Sequence, residues 1–197
     1  MSVTWTQTAT AQLIAAPELP MPAAFPTLVV AVAAFALAGC GEPRPVSAPT
    51  AASPGPVELT ETTANDLDAA LAAHKGKVVL VDCWYLACGP CVKKFPHLVD
   101  LHKKHAGSGL VCVSVNVFPE ELTRKEKVLD FLTKQGASFP NYILKDDANA
   151  DQWQKDRGVE FTPWLMLFDK AGKPVAVPEK ATPTEVEELV KAALAAK

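Results

Sequence analysis

The sequence predicts an α/β fold, a central mixed sheet with helices on both faces. Three patterns predict it. Val78-Val79-Leu80-Val81 and Leu110 to Val117 are runs of mostly apolar, β-branched residues. Such runs read as strands covered on both sides. Segments with apolar residues at helical spacing separate the strand patterns, so strand and helix alternate. Near the end, Lys170-Ala171-Gly172-Lys173 turns the chain back on itself, which pairs two strands as a hairpin and makes the sheet mixed.

The chain has 197 residues, enough for one domain with appendages. Hydrophobic residues make up 49%, which suits a globular core. A net charge of −3 leaves no basic footprint for nucleic acid. Five Cys are too few for a disulfide scaffold of this length, so their spacing carries the information.

Residues 1–39 read as a lipoprotein signal peptide. Leu28 to Ala38 is wholly apolar. It is shorter than the ~20 residues of a membrane span and fits the apolar region of a secretory signal. It ends in Leu37-Ala38-Gly39-Cys40, which resembles the bacterial lipobox. That resemblance implies cleavage before Cys40, lipidation of Cys40, and anchoring in a membrane by its acyl chains. One feature departs from the pattern: residues 1–39 hold no Lys or Arg, and Glu18 is their only charge. A start at Met21 gives a more usual length. The plain alternative is a buried apolar helix with an incidental Cys. Residues 40–56 form a tether, because five Pro among small residues between Gly41 and Pro56 build no core. It reaches on the order of 50 Å from a bilayer. The folded domain is assigned to 57–197, facing water outside the cytoplasm.

Within the domain, Val57 to Leu59 is the expected first strand. Thr63 to His74 reads as a helix with Leu67 and Leu71 on one face, capped by Thr63 or Asn65 and ended by Gly76. Lys77 to Trp84 is a central strand. The next helix turns Val92, Phe95, Leu98, Val99 and Leu101 inward, has Pro96 inside it, and closes at Gly107-Ser108-Gly109. Leu110 to Val117 is the second central strand. A helix near Thr123 to Gln135, a weaker strand at Asn141 to Leu144 and a short helix ending at Gly158 follow. Trp164 to Asp169 and Val175 to Val177 form the hairpin. The last helix opens on a capping box, Thr182-Pro183-Thr184-Glu185, with Pro at its first position.

Cys88-Gly89-Pro90-Cys91 stands between the first central strand and the helix after it. Two thiols three positions apart can close a small disulfide ring, or share one exchange in which the first attacks and the second releases. At the first turn of a helix, free amides and the positive end of the dipole favour an anion. A thiolate is an anion, so the position lowers the pKa of Cys88 and enriches its reactive form.

The chain resembles the thioredoxin family over roughly Val57 to Lys197. LVDCWYLACGPC, Pro96 five residues after Cys91, and Phe161-Thr162-Pro163 before a strand carry the resemblance. The lipid anchor, the Pro-rich tether and the extra helix before Gly158 resemble the membrane-anchored TlpA-like branch. The resemblance implies a thioredoxin-like three-layer α/β/α fold and a thiol–disulfide oxidoreductase without cofactor or metal. Cys88 would attack a partner's disulfide, and Cys91 would then attack Cys88 and free the reduced partner. Asp82 matches the family's buried acid and would move the proton of Cys91, helped by a pKa raised in an apolar strand. Pro163 would be cis, pack beside the thiols, present backbone with Thr162 to the partner, and help keep metal off. Trp84 would pack beneath the site, and Trp164, directly after Pro163, reads as core or rim packing first and as a contact to the partner second. Gly89 and Pro90 resemble the spacer of reducing thioredoxins. The implied partners are extracytoplasmic proteins with disulfides, such as apocytochrome c, and a thiol electron donor in the membrane.

The chain also departs from the family. Ala87 stands where Trp usually precedes the first active Cys, and Tyr85 and Leu86 are unusual, which makes the receiving groove more open or more apolar. The lysine that often neighbours the buried acid is not evident in LVCVSVNV. Rival readings are weaker. A zinc site needs two more ligands at similar spacing. Cys83, Cys88, Cys91 and Cys112 imitate an iron–sulfur spacing, but Cys83 and Cys112 fall in strands, where small thiols are packing. A Cys83–Cys112 disulfide requires a shared face of the sheet. His102 and His105 are polar-face residues before they are metal ligands. A non-catalytic redox-sensor or metal-binding module on the same fold is the alternative function, and a thiol peroxidase a third.

Overall fold

A computed structural model describes residues 55–196. The expected signal peptide, Cys40 and nearly all of the tether lie outside the described residues. In chain order the elements are β1 (Thr60–Thr62), α1 (Ala64–Ala72), β2 (Val78–Trp84), α2 (Gly89–His105), β3 (Leu110–Asn116), α3 (Lys125–Gln135), β4 (Asn141–Leu144), α4 (Ala150–Asp156), β5 (Trp164–Phe168), β6 (Pro174–Val175) and α5 (Pro183–Ala195). They build one sheet in the order β1-β4-β3-β2-β5-β6. The first three ladders are parallel, and β2–β5 and β5–β6 are antiparallel. The mixed α/β/α sandwich predicted from the sequence is the fold observed.

Strand β2 is central because its side chains leave no polar face: every residue from Val78 to Trp84 is buried. Alternate residues feed two cores. Val78, Leu80 and Trp84 join Phe95 and Leu98 of α2, Leu132 of α3 and Val190 of α5. Val79, Val81 and Cys83 join Leu67 of α1 and Trp153 of α4. Asp82 has the parity of Leu80 and Trp84, so it faces the α2 side.

Local signals explain the ends of the elements. The Oγ1 of Thr63 caps α1 by accepting from Asp66 N, and Gly76 continues with a φ of +93° that few side chains tolerate. The capping box of α5 forms as expected, with Thr182 N donating to Glu185 Oε2 at 2.7 Å and Glu185 N donating to Thr182 Oγ1 at 3.3 Å. Helix α4 is clamped to α1 by Asp68, whose Oδ1 accepts from Trp153 Nε1 at 2.7 Å and from Arg157 at 2.6 Å.

The first strand is corrected. It is Thr60–Thr62, not Val57 to Leu59, because these three residues pair with Tyr142, Ile143 and Leu144 of β4. Val57 and Leu59 pack instead, partly buried, on the α2-side core. Helix α3 also begins later than Thr123, since Pro119–Arg124 forms a 3-10 segment first. Among the described residues no helix is long and apolar enough to cross a membrane.

Candidate active site

Cys88 is the N-cap of α2, and Cys91 lies one turn in. Their Cα atoms are 5.3 Å apart and their sulfurs are joined as a disulfide. Cys91 N donates to Cys88 Sγ at 3.2 Å, so an amide of the first turn is already aimed at that sulfur. A thiolate formed there on reduction meets this amide and the positive end of a 17-residue helix. Lys103 and Lys104 occupy the opposite end, where cations suit the dipole. Both sulfurs are nearly covered, Cys88 at 5% exposure and Cys91 at 0%, so attack is open to Cys88 alone. Gly89 and Pro90 are exposed, and a Cβ on Gly89 would meet nothing within 4 Å.

Below the thiols, Trp84, Phe95 and Phe131 pack as an aromatic trio, with ring centroids 4.9 to 5.2 Å apart. Trp84 is fully buried. It packs beneath the site as expected, but a covered ring touches no partner, so its place among the substrate-binding residues is corrected to one of support. The loop between β2 and Cys88 is held by a residue that sequence reasoning missed. Glu121, fully buried, accepts from Leu86 N at 2.8 Å, Ala87 N at 3.3 Å, Asn116 Nδ2 at 2.6 Å and Arg124 at 3.3 Å. Its carboxyl replaces the partners that a turn leading into a helix leaves unmet. The only sequence signal was an acidic residue in an otherwise unassigned stretch after Pro119.

Asp82 is 3% exposed, and its Oδ1 has no hydrogen-bond partner. Burial pushes its carboxyl up to about 7, against a smaller opposing pull from the Lys94 ammonium. The lysine sought in β3 is thus supplied by α2. In β3 the residue opposite Asp82 is Ser114, which donates to Asn141 Oδ1 at 2.8 Å. Burial, aided by the Asp82 charge, also pushes Cys112 up to about 12 and Cys83 still higher. Those two thiols are inert packing groups. Cys83 belongs to the α1-side core and Cys112 to the α2-side core, so opposite faces of the sheet separate them. This rules out a Cys83–Cys112 disulfide.

The Thr162–Pro163 peptide is cis. Cys83 pairs with Trp164, so Pro163 and Thr162 continue toward the end of the sheet where β2 gives way to the thiols. Trp164 shares the parity of Cys83 and packs with the α1-side cluster, its ring 5.3 Å from Phe161. The side chain is therefore on the face away from Asp82, where it stays partly exposed. Phe161 and Phe118 are the large hydrophobics exposed among the described residues, and Phe118 stacks on Tyr85 at 5.1 Å. His102 packs against Phe139 while His105 meets Glu187 on α5, so the two imidazoles do not converge on a metal.

The Redoxin family pattern matches residues 45–193. The chain belongs to the Redoxin family. Within it, the chain is 30% identical over 107 residues to the thiol-disulfide oxidoreductase ResA of Bacillus subtilis, which covers 54% of this chain and 55% of that protein. ResA of Halalkalibacterium halodurans is also 30% identical, over 52% of this chain and 54% of that one. The chain thus spans about half the length of the ResA relatives it matches. A crystal structure assigned to the thiol:disulfide interchange protein DsbE of Chlorobium tepidum is 27% identical, with a TM-score of 0.51 over 63% of this chain and 84% of that one. The thioredoxin domain of a thiol-disulfide oxidoreductase from Bacteroides vulgatus is 25% identical, with a TM-score of 0.51 over 61% and 84%. These Redoxin relatives bear out the resemblance to the thioredoxin family and its TlpA-like branch.

Two predictions follow from the buried carboxyls. Glu121→Ala strands several buried donors and should lower stability by roughly 3 kcal/mol in urea unfolding; a change below about 0.5 kcal/mol contradicts the anchoring role. For Asp82, the folded carboxyl stays protonated to about pH 7, while in the unfolded chain it ionises near its ordinary value. The unfolded state therefore binds fewer protons between about pH 4 and pH 7, and stability falls as pH rises through that window. Asp82→Asn should remove the loss, making the oxidised variant more stable by up to roughly 4 kcal/mol at about pH 8 and by little at about pH 4. An equal effect at both pH values contradicts the raised pKa.

Proposed function

We propose that this chain is an extracytoplasmic, membrane-anchored thiol–disulfide oxidoreductase that reduces protein disulfides through Cys88 and Cys91. The observation that carries the reading is the bridged pair itself: two sulfurs in bonding range, the outer one capping a helix and the inner one sealed behind it. Cys88 thiolate attacks one sulfur of the partner's disulfide, and the partner's other sulfur leaves with the electron pair. Cys91 gives up its proton to Asp82 and attacks Cys88, the mixed disulfide breaks, and the partner departs carrying two electrons. Thr162 and Pro163 present backbone to the partner's extended segment; the exposed phenyl groups among the described residues are Phe161, directly before them, and Phe118, stacked on Tyr85 in the loop before Cys88. With Ala87 in place of a bulky ring before Cys88, these phenyl groups supply the apolar rim.

The substrates are extracytoplasmic proteins bearing disulfides, apocytochrome c among them, and a membrane thiol protein returns the electrons. The names of the ResA and DsbE relatives, a thiol-disulfide oxidoreductase and a thiol:disulfide interchange protein, support disulfide exchange as the chemistry. The lipobox-like Leu37-Ala38-Gly39-Cys40 supports attachment through a lipid on Cys40.

Cys91→Ser leaves the attacking sulfur and removes the releasing one. Expressed in intact cells, it should accumulate covalent adducts at Cys88 that reductant dissolves and that mass spectrometry identifies as extracytoplasmic proteins. Cys88→Ser should trap none. A Cys91→Ser protein that keeps wild-type function and traps nothing would favour a sensor or binding module.

A further inference from the structure

Asp82 opens onto a cavity the exchange step leaves unexplained. It holds about 50 Å³ between β2, β5, α2 and the segment entering α5, with apolar walls from Leu80, Leu98, Leu101 and Leu165. Four charged or titratable side chains line it: Asp82 of β2, Lys94 and His97 of α2, and Glu179 before α5. Asp82 is deeply buried, whereas Lys94 and Glu179 are exposed. His97 lies between these extremes, half-buried, with its Nε2 covered and without a hydrogen-bond partner. The Oδ1 of Asp82 is unpartnered too. Two residues that line one chamber of this size and each carry an orphan polar atom meet the conditions for bound water, which needs room and polar partners.

We propose that His97 relays the proton of Asp82 to solvent, through water held in this cavity. The inference rests on the exchange activity proposed above. When Cys91 Sγ–H yields its proton to the Asp82 carboxylate, the new thiolate attacks Cys88 Sγ, and the bond from Cys88 to the partner breaks with its electron pair on the partner's sulfur. Below neutrality the Asp82 carboxyl, pushed up to about 7 by burial, starts protonated and must lose that proton before it can accept the one from Cys91. Each neighbour limits the route. The Lys94 ammonium favours the carboxylate form but, being charged, accepts no proton. Glu179 stands at the exposed rim. Cys112, on the same face of the sheet, holds its proton firmly, its thiol pushed up to about 12 by burial. An imidazole carries one nitrogen that accepts a proton and one that donates. His97 lines the chamber, its Nε2 is covered, and the residue as a whole reaches solvent. His97 touches no reacting sulfur in this scheme, so it is a positioning residue that acts through Asp82.

The test is stopped-flow reduction, by the full-length reduced protein, of a peptide carrying one intrachain disulfide, from about pH 5 to about pH 8. Attack by Cys88 and release by Cys91 are read as separate phases. His97→Ala should leave the attack phase unchanged and slow release about ten-fold below neutrality, with added imidazole restoring it. His97→Gln keeps the bulk without a titrating ring, and serves as the second variant should the truncation unfold; it should show the same slow release. Release at the wild-type rate across the pH range in either variant overturns the relay, as does slowing in His97→Ala that imidazole leaves in place. A wild-type protein that fails to attack the peptide overturns the exchange activity instead, and is distinguished by the missing first phase.

Discussion

Where β2 ends and α2 begins, the backbone offers amides with no helical partner, and the sulfur of Cys88 is the acceptor they meet. That contact depends on the rest of the domain. Strand β2 must be buried on both faces to hold its end still, and Glu121 must tie Leu86 and Ala87 so that the chain turns into the helix with Cys88 at its cap. The aromatic trio under the pair fixes the depth of α2, so Cys91 stays sealed while the outer sulfur borders the surface. Reactivity here is a product of position, since Cys83 and Cys112 are the same chemical group and are silenced by burial.

A second constraint opposes the first. The fold keeps a carboxyl inside an apolar face, with one oxygen unpartnered and a single cation near enough to moderate it. An apolar side chain would pack there at less cost. In the proposed exchange, the stability given up at neutral pH keeps a base whose carboxyl is pushed up to about 7 by burial. The cavity beside Asp82 belongs to the same compromise, because filling it would improve packing and close the way to solvent.

Much of this was legible in the sequence where one local rule decides the outcome. The unbroken β-branched runs announced β2 and β3, and Thr182 with Glu185 announced α5, because a capping box needs no tertiary help. Cys88 and Cys91 were readable for a similar reason: spacing three, after a strand and before a helix, is a local pattern. What escaped depended on partners distant in sequence. The place of β1 is set by its register with β4, which apolar content at Val57 and Leu59 does not encode. The side of the sheet taken by Cys112, relative to Cys83, needs the alignment of β2 with β3. The cation near Asp82 was sought along β3 and comes from α2. Glu121 resembles any surface acid until four donors close around it. Trp164 reads in the sequence as packing or as a partner contact, and the face its ring takes is set by the register of β5 on β2.

The most direct measurement is the pH titration of the Cys88 thiolate in the reduced protein, followed by its absorbance near 240 nm, with Cys91→Ser to isolate the signal. Helix capping predicts a midpoint well below the ~8.5 of a free cysteine, at about 7 or lower. A midpoint at or above the free value would mean that the helix terminus does not activate this sulfur, and the account of its reactivity would be wrong.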